Sequence, residues 1–353
     1  MKFIHIADVH LGATPDSEYS WGCTRKKEIK KSFCDLIDIC TREKIDLLLI
    51  AGDLFHRQPL LRELKELNYQ FERMKDTKVV LIAGNHDYVG PRSHYVDFEW
   101  AKNVTMLKDE VMQKVVLEEL NTEVYGFSYH KRNIPEPLLN NVRPENNERM
   151  HILLAHGGDE KNIPIDRNQV KELPFDYIAL GHIHKPAIIN QHCANVGSFE
   201  PLDKNELGAR GYILGELTKD SCQIQFVAHS LRRYEWLNVD VTPKTTQGEI
   251  CTMISERIKQ RGEDNIYRVH LLGYNDVDLQ IDEEQMKELG NIIEITNDTV
   301  PDYDFERLKM ENQDNIIGLY IDKVHESDTN EEIKTKALYY GLEALLNAKN
   351  RCG

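Results

Sequence analysis

Short apolar runs alternate with longer amphipathic segments through the first two thirds of this 353-residue chain. The short runs are rich in leucine and β-branched residues, which is typical of buried β-strands. We therefore predict strands at residues 2–7, 46–51, 78–83, 151–155, 176–180, 212–217 and 222–229. Strands that alternate with helices in this way build layered α/β domains.

Two of the longer segments, residues 25–42 and 61–75, have the apolar spacing of amphipathic helices. Their apolar positions recur every three or four residues and are Ile29, Phe33, Ile37 and Cys40 in the first segment, and Leu64, Leu67, Phe71 and Met74 in the second. A helix with one apolar stripe buries that stripe against a neighbouring layer. We therefore expect helices to cover the sheet.

The pattern changes near residue 235. Residues 237–243 alternate like a strand, and residues 249–260 and 267–272 then predict a helix and a second strand. A last helix is predicted at residues 331–350, with apolar positions Ile333, Ala337, Leu338, Tyr340, Leu342 and Leu345. The length fits two domains, which we place at residues 1–235 and 236–353. We expect the last helix to pack on its own domain rather than to dock a partner.

The composition excludes some classes of protein. No apolar run approaches the ~20 residues that a membrane span requires, and Asp8 follows the start too soon for the apolar stretch of a signal peptide. We expect a cytoplasmic protein. The seven cysteines are an odd number without a C-x-x-C pair, so we interpret them as reduced thiols.

The net charge of −15 argues against a protein that coats nucleic acid by bulk attraction. Residues 238–353 carry 13 lysines and arginines against 24 aspartates and glutamates, so most of the acidity lies in the last third. The first two thirds are therefore close to neutral.

Side chains of the types that commonly bind metal ions follow five of the predicted strands. They are Asp8 and His10 after the first strand, Asp53 after the second, Asn85 with His86 after the third, His156 after residues 151–155, and His182 with His184 after residues 176–180. Because loops converge beyond the carboxyl ends of the strands in open sheets, we expect these side chains to meet.

The types of ligand narrow the chemistry. Carboxylates, imidazoles and one amide oxygen suit Mn²⁺, Fe²⁺ or Zn²⁺, whereas thiolates would have indicated structural zinc. Asp53 is the candidate to bridge two cations at ~3.5–4 Å, the spacing at which a metal pair can clamp a phosphate. Taken alone, the segment Gly84-Asn85-His86-Asp87 is equally typical of a turn. Five such segments in succession favour a metal site.

Together, Asp8-x-His10, Gly52-Asp53, Gly84-Asn85-His86-Asp87, His156 and Gly181-His182-x-His184 resemble the signature of the calcineurin-like metallophosphoesterase superfamily. Within it, residues 7–12 and 52–56 are similar to DNA repair exonucleases of the SbcD and YhaO type, the nuclease subunits of SbcCD-like complexes. The resemblance covers residues 1 to about 230 and extends more faintly to residues 267–273.

The resemblance implies an α/β fold: a four-layer metallophosphoesterase β-sandwich flanked by helices, with a smaller α+β domain that caps the site. It implies one metal ion held by Asp8, His10, Asp53 and His184, and a second held by Asp53, Asn85, His156 and His182. Mn²⁺ is the expected metal, with Fe²⁺, Zn²⁺ or Mg²⁺ as alternatives.

The resemblance also implies two catalytic histidines. His86 would face the scissile phosphate and stabilise charge on it or on the leaving oxygen while an activated water attacks. His56 follows Asp53 by three residues and matches a histidine that the nuclease branch carries and that generic phosphatases commonly lack. His56 therefore favours DNA as the substrate.

A basic cluster opens the helix predicted after the loop of Asp8 and His10. It consists of Arg25, Lys26, Lys27, Lys30 and Lys31. Cations at a helix N-terminus oppose the helix dipole, so local stability does not explain them. We predict that the cluster binds the DNA backbone, with an ordinary solvated helix face as the alternative.

The sequence thus predicts a Mn²⁺-dependent DNA exonuclease, possessing endonuclease activity on single strands. The main alternative is a small-molecule phosphatase or cyclic-nucleotide phosphodiesterase that uses the same metal pair. A regulatory subunit without turnover is a third reading, which the complete ligand set disfavours. The family resemblance further implies a homodimer and a coiled-coil ABC-type ATPase partner.

Overall fold

The computed structural model describes residues 1–145 and 148–351. The chain divides into two compact units, Met1–Glu235 and Trp236–Gly353. Six cysteines lie among the described residues, and all six are free thiols. The remaining predicted thiol, Cys352, lies outside the described residues.

Twelve strands and three α-helices lie within the described part of the first unit. The strands are β1 (Lys2–Ile6), β2 (Leu47–Ala51), β3 (Lys78–Ile82), β4 (Val104–Met106), β5 (Gln113–Leu117), β6 (Thr122–Gly126), β7 (Met150–His156), β8 (Tyr177–Gly181), β9 (Ala187–Asn190), β10 (Cys193–Asn195), β11 (Gly211–Leu217) and β12 (Cys222–Ala228). The helices are α1 (Gly22–Arg42), α2 (Leu61–Arg73) and α3 (Arg167–Val170), and a short 3-10 helix spans Glu118–Leu120.

The strands form two six-stranded sheets, with the orders β12-β11-β1-β2-β3-β4 and β5-β6-β7-β8-β10-β9. Neighbours β1, β2 and β3 are parallel in the first sheet, as are β6, β7 and β8 in the second. Successive side chains of a strand point to opposite faces. Phe3 and Leu49 therefore pack with Ile152 between the sheets, whereas Ile4 and Ile50 face outward toward the helices.

Helices cover the outer face of the first sheet. Ile29 and Phe33 of α1 and Leu64 and Phe71 of α2 are buried in the same core as Ile50. The outer face of the second sheet is covered by α3 and by loops, whose buried side chains include Ile134, Leu139, Ile163 and Leu173. The predicted helix-flanked sandwich is therefore confirmed, and its outer layer on the second side consists mostly of loops.

The second unit has its own core. The elements in this part of the chain are β13 (Tyr234–Val241), α4 (Gln247–Arg261), β14 (Ile266–Asn275), α5 (Glu283–Lys287), β15 (Ile292–Pro301), α6 (Phe305–Glu311), α7 (Ile316–His325) and α8 (Glu331–Arg351). The strands form a sheet of order β13-β14-β15. Ile250 and Ile254 of α4 pack against Leu237 and Val269 of this sheet.

The apolar stripe of α8 is only partly used for packing. Leu338 and Leu342 are buried against Ile317 of α7, as predicted. Ile333 and Tyr340 remain 53% and 74% exposed. Within the described residues, no helix combines the length and apolarity that crossing a bilayer demands.

Candidate metal centre

The structure brings the predicted ligands together at one edge of the sandwich. Asp8 and His10 follow β1, Asp53 and Asn85 follow β2 and β3, His156 ends β7, and His182 and His184 follow β8. Within each sheet these strands are parallel neighbours. Their carboxyl ends therefore present the side chains to a common space.

Several of these side chains stand on strained backbone. Asp8, His10 and Asp53 have φ angles of 50°, 50° and 49°, and His182 has a φ of 89°. Non-glycine residues adopt this left-handed region at a cost of roughly 1–3 kcal/mol, and such residues cluster at functional sites. Backbone hydrogen bonds hold these loops in place. The backbone N of Asp8 donates to Gly52 O at 3.1 Å, and the backbone N of His10 donates to Asp53 O at 3.1 Å.

The first ligand group contains Asp8, His10 and His184, whose ligand atoms all lie within 4.8 Å of one another. His10 Nε2 is 3.3 Å from His184 Nε2 and 3.8 Å from Asp53 Oδ2. His184 Nε2 is 3.7 Å from Asp8 Oδ1. This group is completed by Asp53 and could hold one cation.

The second group contains Asp53, Asn85, His156 and His182. His156 Nε2 lies 3.4 Å from Asp53 Oδ2 and 3.1 Å from Asn85 Oδ1. His182 Nδ1 lies 3.2 Å from the same Asn85 oxygen. Asp53 Oδ2 thus faces a histidine of each group, which is the placement that a bridging carboxylate needs.

Three histidines, His156, His182 and His184, each have one ring nitrogen that faces the other ligands, here called the inner nitrogen. A contact at the other, outer nitrogen leaves the inner nitrogen without a proton. The outer nitrogen of each ring faces an acceptor atom: His184 Nδ1 faces Glu206 Oε1 at 2.6 Å, His156 Nδ1 faces Ala51 O at 2.8 Å, and His182 Nε2 faces Asp159 Oδ2 at 2.8 Å. Since those oxygens accept, the outer nitrogens carry the protons. In a neutral ring, the inner nitrogen therefore carries a free lone pair, which a metal ligand requires.

The residues fit divalent cations. Asp8 Oδ1 is buried and has no hydrogen-bond partner within the described part of the chain. It converges with the acceptor nitrogens of His10 and His184 and with the carboxylate of Asp53. Acceptor atoms gathered in a buried space repel one another unless a cation or a proton lies among them. Carboxylate, imidazole and amide donors are the set that Mn²⁺, Fe²⁺ and Zn²⁺ accept.

The ligand groups also shift one another's pKa values. Burial alone would lower the pKa of His184 and of His156, but the hydrogen bond to Glu206 and the charge of Asp53, respectively, raise each pKa to about 9. Burial opposes ionisation of Asp53, yet the charge of His156 holds the pKa of Asp53 well below its usual range. Bound cations would displace the imidazole protons.

His86 and His56 lie outside the two ligand groups. His56 is exposed and His86 half-buried, and their rings stack with centroids 5.2 Å apart. His86 Nδ1 lies 3.1 Å from His56 O, and the backbone N of His86 donates to Asp53 Oδ1 at 2.8 Å. His56 Nδ1 lies 3.3 Å from His10 Nδ1. Two imidazoles therefore border the centre on its solvent side.

Substituting alanine for Gly84 should weaken metal binding at least tenfold without unfolding the chain. A Cβ at Gly84 would collide with Asp53 Oδ1 and would lie 2.7 Å from both the backbone N of Asp53 and His156 Nε2, inside the space of the ligands. Calorimetric titration of the metal-free variant with Mn²⁺ measures the loss. Gly248→Ala is the control, since nothing lies within 4 Å of a Cβ there. An unchanged affinity in Gly84→Ala would contradict the arrangement.

The predicted basic cluster is divided in the structure. Arg25 is buried, and its guanidinium donates to Pro201 O at 2.7 Å and to Glu28 Oε2 at 2.9 Å. The prediction that Arg25 contacts DNA is therefore wrong, because its donors are directed into the protein. The backbone N of Phe199, near Pro201, donates to Asp8 O at 3.2 Å. Arg25 thus ties the start of α1 to the loop beside the metal centre.

The four lysines of the cluster are exposed, but they differ in their surroundings. Lys30 Nζ is 2.6 Å from Glu66 Oε2 and Lys31 Nζ is 2.8 Å from Asp35 Oδ2. Lys26 and Lys27 have no such ion pair within the described residues. The first turn of α1 also contains no acidic residue. Lys26 and Lys27 are therefore the members best placed to bind an external anion.

The supporting roles of three carboxylates were not predicted from the sequence. Glu206 and Asp159 hold His184 and His182 from loops that carry no ligand pattern. Asp87 is buried beneath the Gly84 turn, where it accepts hydrogen bonds from the backbone N of Gly84 and from Tyr95 Oη. Burial raises the pKa of Asp87 to about 7. Charged residues in turns are usually solvated, so no local signal marked Glu206 and Asp159. Asp87 belongs to the segment Gly84-Asn85-His86-Asp87, but no role was predicted for it.

Comparison with known proteins agrees with this fold. Residues 1–186 match the family model described as calcineurin-like phosphoesterase. The chain is 31% identical to the uncharacterized metallophosphoesterase YhaO of Bacillus subtilis, over 77% of this chain and 72% of that protein. It is 30% identical to the DNA double-strand break repair protein Mre11 of Methanocaldococcus jannaschii, over 74% and 75% of the two chains.

A helix-flanked double sheet whose strand ends gather carboxylates and imidazoles defines a metallohydrolase. The chain belongs to the calcineurin-like phosphoesterase family. It is a metal-dependent phosphoesterase, and the family uses a site for two divalent cations. The candidate ligands described above could supply that site.

Proposed function

We propose that the chain is a DNA phosphodiesterase: a Mn²⁺-dependent exonuclease, with endonuclease activity on single strands, that serves DNA repair. The observation that carries this proposal is the pair of imidazoles, His86 and His56, on the solvent side of the metal centre. A DNA strand whose scissile phosphate reaches the centre would meet both rings.

The hydrogen bonds around these rings support different roles for them. His86 Nδ1 faces a backbone carbonyl, which can only accept, so Nδ1 keeps its proton and Nε2 can take up or release one. When His10 Nε2 serves as a ligand, His10 Nδ1 carries a proton and donates it to His56 Nδ1. His56 Nε2 is then an N–H donor.

We infer that His56 donates a hydrogen bond to a phosphate oxygen, and that protonated His86 gives its Nε2 proton to the leaving oxygen. The bound cations would hold the phosphate and lower the pKa of the attacking water. Asp53 accepts a hydrogen bond from the backbone N of His86 and so fixes that ring beside the ligands. A truncated side chain at position 86 would leave the metal groups intact.

The relatives support DNA as the substrate class. Besides the protein from Methanocaldococcus jannaschii, a DNA double-strand break repair protein Mre11 from Saccharolobus solfataricus is 25% identical, over 75% of this chain and 72% of that protein. We extend the proposal to a homodimer and to a coiled-coil ABC-type ATPase partner, both implied by the sequence resemblance. Sedimentation of the purified chain tests the first.

A substrate panel tests the choice of DNA. We expect kcat/KM for a single-stranded oligonucleotide to exceed that for bis-p-nitrophenyl phosphate and for a cyclic nucleotide. His56→Ser should lower the value for DNA more than that for the small diesters, because an extended substrate can use the additional donor. Efficient turnover of the cyclic nucleotide with no action on DNA would instead establish a small-molecule phosphodiesterase.

Replacing Lys26 and Lys27 with glutamine should weaken DNA binding and flatten its salt dependence. Each lysine that neutralises a phosphate contributes about 0.9 to the slope of log K against log salt for duplex DNA, so the slope should fall by about 2. Fluorescence anisotropy of labelled duplex DNA at several salt concentrations measures this change. Hydrolysis of bis-p-nitrophenyl phosphate should stay at the wild-type rate.

The matched control is the double variant Lys30→Gln and Lys31→Gln. It removes the same charge from the same helix, but these lysines face Glu66 and Asp35. We expect a smaller change in the salt slope. Equal slopes for both double variants would contradict a specific role for Lys26 and Lys27.

A further inference from the structure

We propose that Glu206 is the positioning residue that orients His184 as a metal ligand and sets the affinity of the centre for one of its two cations. The inference rests on the proposed role of His184 as a ligand and is independent of whether DNA is the substrate. It assigns a function to a carboxylate outside the ligand groups.

The carboxylate of Glu206 is held from both sides. Oε1 lies 2.6 Å from His184 Nδ1. Oε2 accepts hydrogen bonds from Ser198 Oγ at 2.9 Å and from the backbone N of Leu202 at 3.2 Å. The side chain is only 13% exposed. These contacts hold the Glu206 side chain in one rotamer, so Oε1 stays in place beside the ring of His184.

A buried arginine adds a charge to this arrangement. Arg210 Nε lies 3.8 Å from Glu206 Oε2 and donates to Ser198 Oγ at 3.1 Å. Arg210 Nη1 also donates to Leu207 O at 3.0 Å. The segment that carries Glu206 is therefore anchored on both sides of the carboxylate.

An anionic acceptor at Nδ1 determines what His184 offers on its other side. It keeps the proton on Nδ1, leaves Nε2 as a lone pair and increases the basicity of that nitrogen. Nε2 faces Asp8 Oδ1 at 3.7 Å and His10 Nε2 at 3.3 Å. Without Glu206, the ring could rotate and could exchange its tautomer.

The other histidines are supported differently. His156 relies on a backbone carbonyl, Ala51 O. His182 relies on Asp159, whose side chain is 46% exposed and also bonds within its own turn, to Asn162. Loss of Glu206 should therefore weaken the binding of the cation held by the group that contains His184. The binding of the other cation should not change.

Titration of the metal-free full-length chain with Mn²⁺ in a calorimeter tests the proposal. We expect two binding events in the wild type. Glu206→Ala should weaken one event by about 10–100-fold, the usual effect of losing a carboxylate behind a metal-bound histidine, and leave the other unchanged. Glu206→Gln keeps an uncharged acceptor and should be intermediate.

A second readout follows the ring itself. In the Zn²⁺-loaded chain labelled with ¹⁵N-histidine, the Nδ1–H of His184 should give a slowly exchanging NMR signal in the wild type. The signal should be lost in Glu206→Ala. Asp203→Asn is the charge control, because Asp203 lies in the same loop and is exposed, and its carboxylate bonds only to Asn205 in the described contacts. The backbone O of Asp203 accepts from the backbone N of Glu206 at 2.8 Å, and this bond is kept in the variant. It should retain both the signal and the affinities.

Ser198→Ala distinguishes two roles of Glu206: orienting the ring of His184, and holding its own loop in place. The variant removes the hydrogen bond from Ser198 Oγ to Glu206 Oε2 but leaves the contact between Glu206 Oε1 and His184. If Ser198→Ala lost as much Mn²⁺ affinity as Glu206→Ala, the proposal would be overturned, because Glu206 would then act by holding its loop in place. Wild-type affinities and a retained Nδ1–H signal in Glu206→Ala would also overturn it. Absence of any Mn²⁺ binding by the wild type would refute the metal centre itself.

Discussion

Replacing Asp53 with asparagine should leave the chain folded but remove both metal ions and reduce phosphodiester hydrolysis by about 10³-fold or more. Asp53 Oδ2 lies 3.8 Å from His10 Nε2 and 3.4 Å from His156 Nε2, so it faces both ligand groups. An amide oxygen carries no negative charge, so it cannot hold two cations as the carboxylate oxygen does. Elemental analysis of the Mn²⁺-loaded variant, together with hydrolysis of bis-p-nitrophenyl phosphate, measures both losses.

The matched control is Asp46→Asn, which removes a carboxylate immediately before β2, whereas Asp53 lies just after it. Asp46 accepts a hydrogen bond from the backbone N of Lys2 at 2.7 Å. We expect this variant to keep two ions and the wild-type rate. Two tightly bound ions in Asp53→Asn would contradict the bridging role.

The second large effect is expected for His86→Ser, which should reduce turnover by about 10²–10⁴-fold, the usual contribution of general acid catalysis, while both ions remain bound. The imidazole belongs to neither ligand group that we assign, and the backbone N–H that donates to Asp53 Oδ1 is retained in His86→Ser. Measurement of kcat beside the metal content separates the two functions of the centre.

His94→Ser is a suitable control, because His94 is an exposed imidazole that does not belong to the centre. It should show wild-type kcat and metal content. If His86→Ser lost its metal ions, the ring would be a ligand rather than a proton donor, and the assignment of roles would change.

The strands that carry the ligands were predictable because burial shapes their sequence. β2, β7 and β8 are buried along their whole length, so apolar residues dominate their sequences, although β7 also contains His151 and His156. The ligands follow immediately, and their position at a strand end is a local property of the sequence. The core of the fold and the candidate ligands could therefore be predicted without a structure.

Other elements left no such signal. β4 and β10 have three residues each, too few for a periodic pattern. β6 contains Glu123, which is buried and accepts a hydrogen bond from Tyr125 Oη at 2.6 Å. A charged residue in a five-residue strand hides the apolar pattern on which the prediction depends.

Long-range contacts explain what the sequence could not reveal about the site. Glu206 and Asp159 meet their histidines across 22 and 23 residues of chain. Arg25 is buried because Asp16, Glu28 and Glu200 surround its guanidinium from three segments. The charge pattern at the start of α1 is the same for a solvated and a buried arginine, so only the fold distinguishes them.

Digestion of end-labelled single- and double-stranded DNA in the presence of Mn²⁺ tests the central claim most directly. We expect the wild-type chain to shorten the labelled strands, and His86→Ser, loaded with the same amount of metal, to leave them intact. Intact DNA in the wild-type reaction, under conditions where bis-p-nitrophenyl phosphate is cleaved, would contradict the claim that this metal centre acts on DNA.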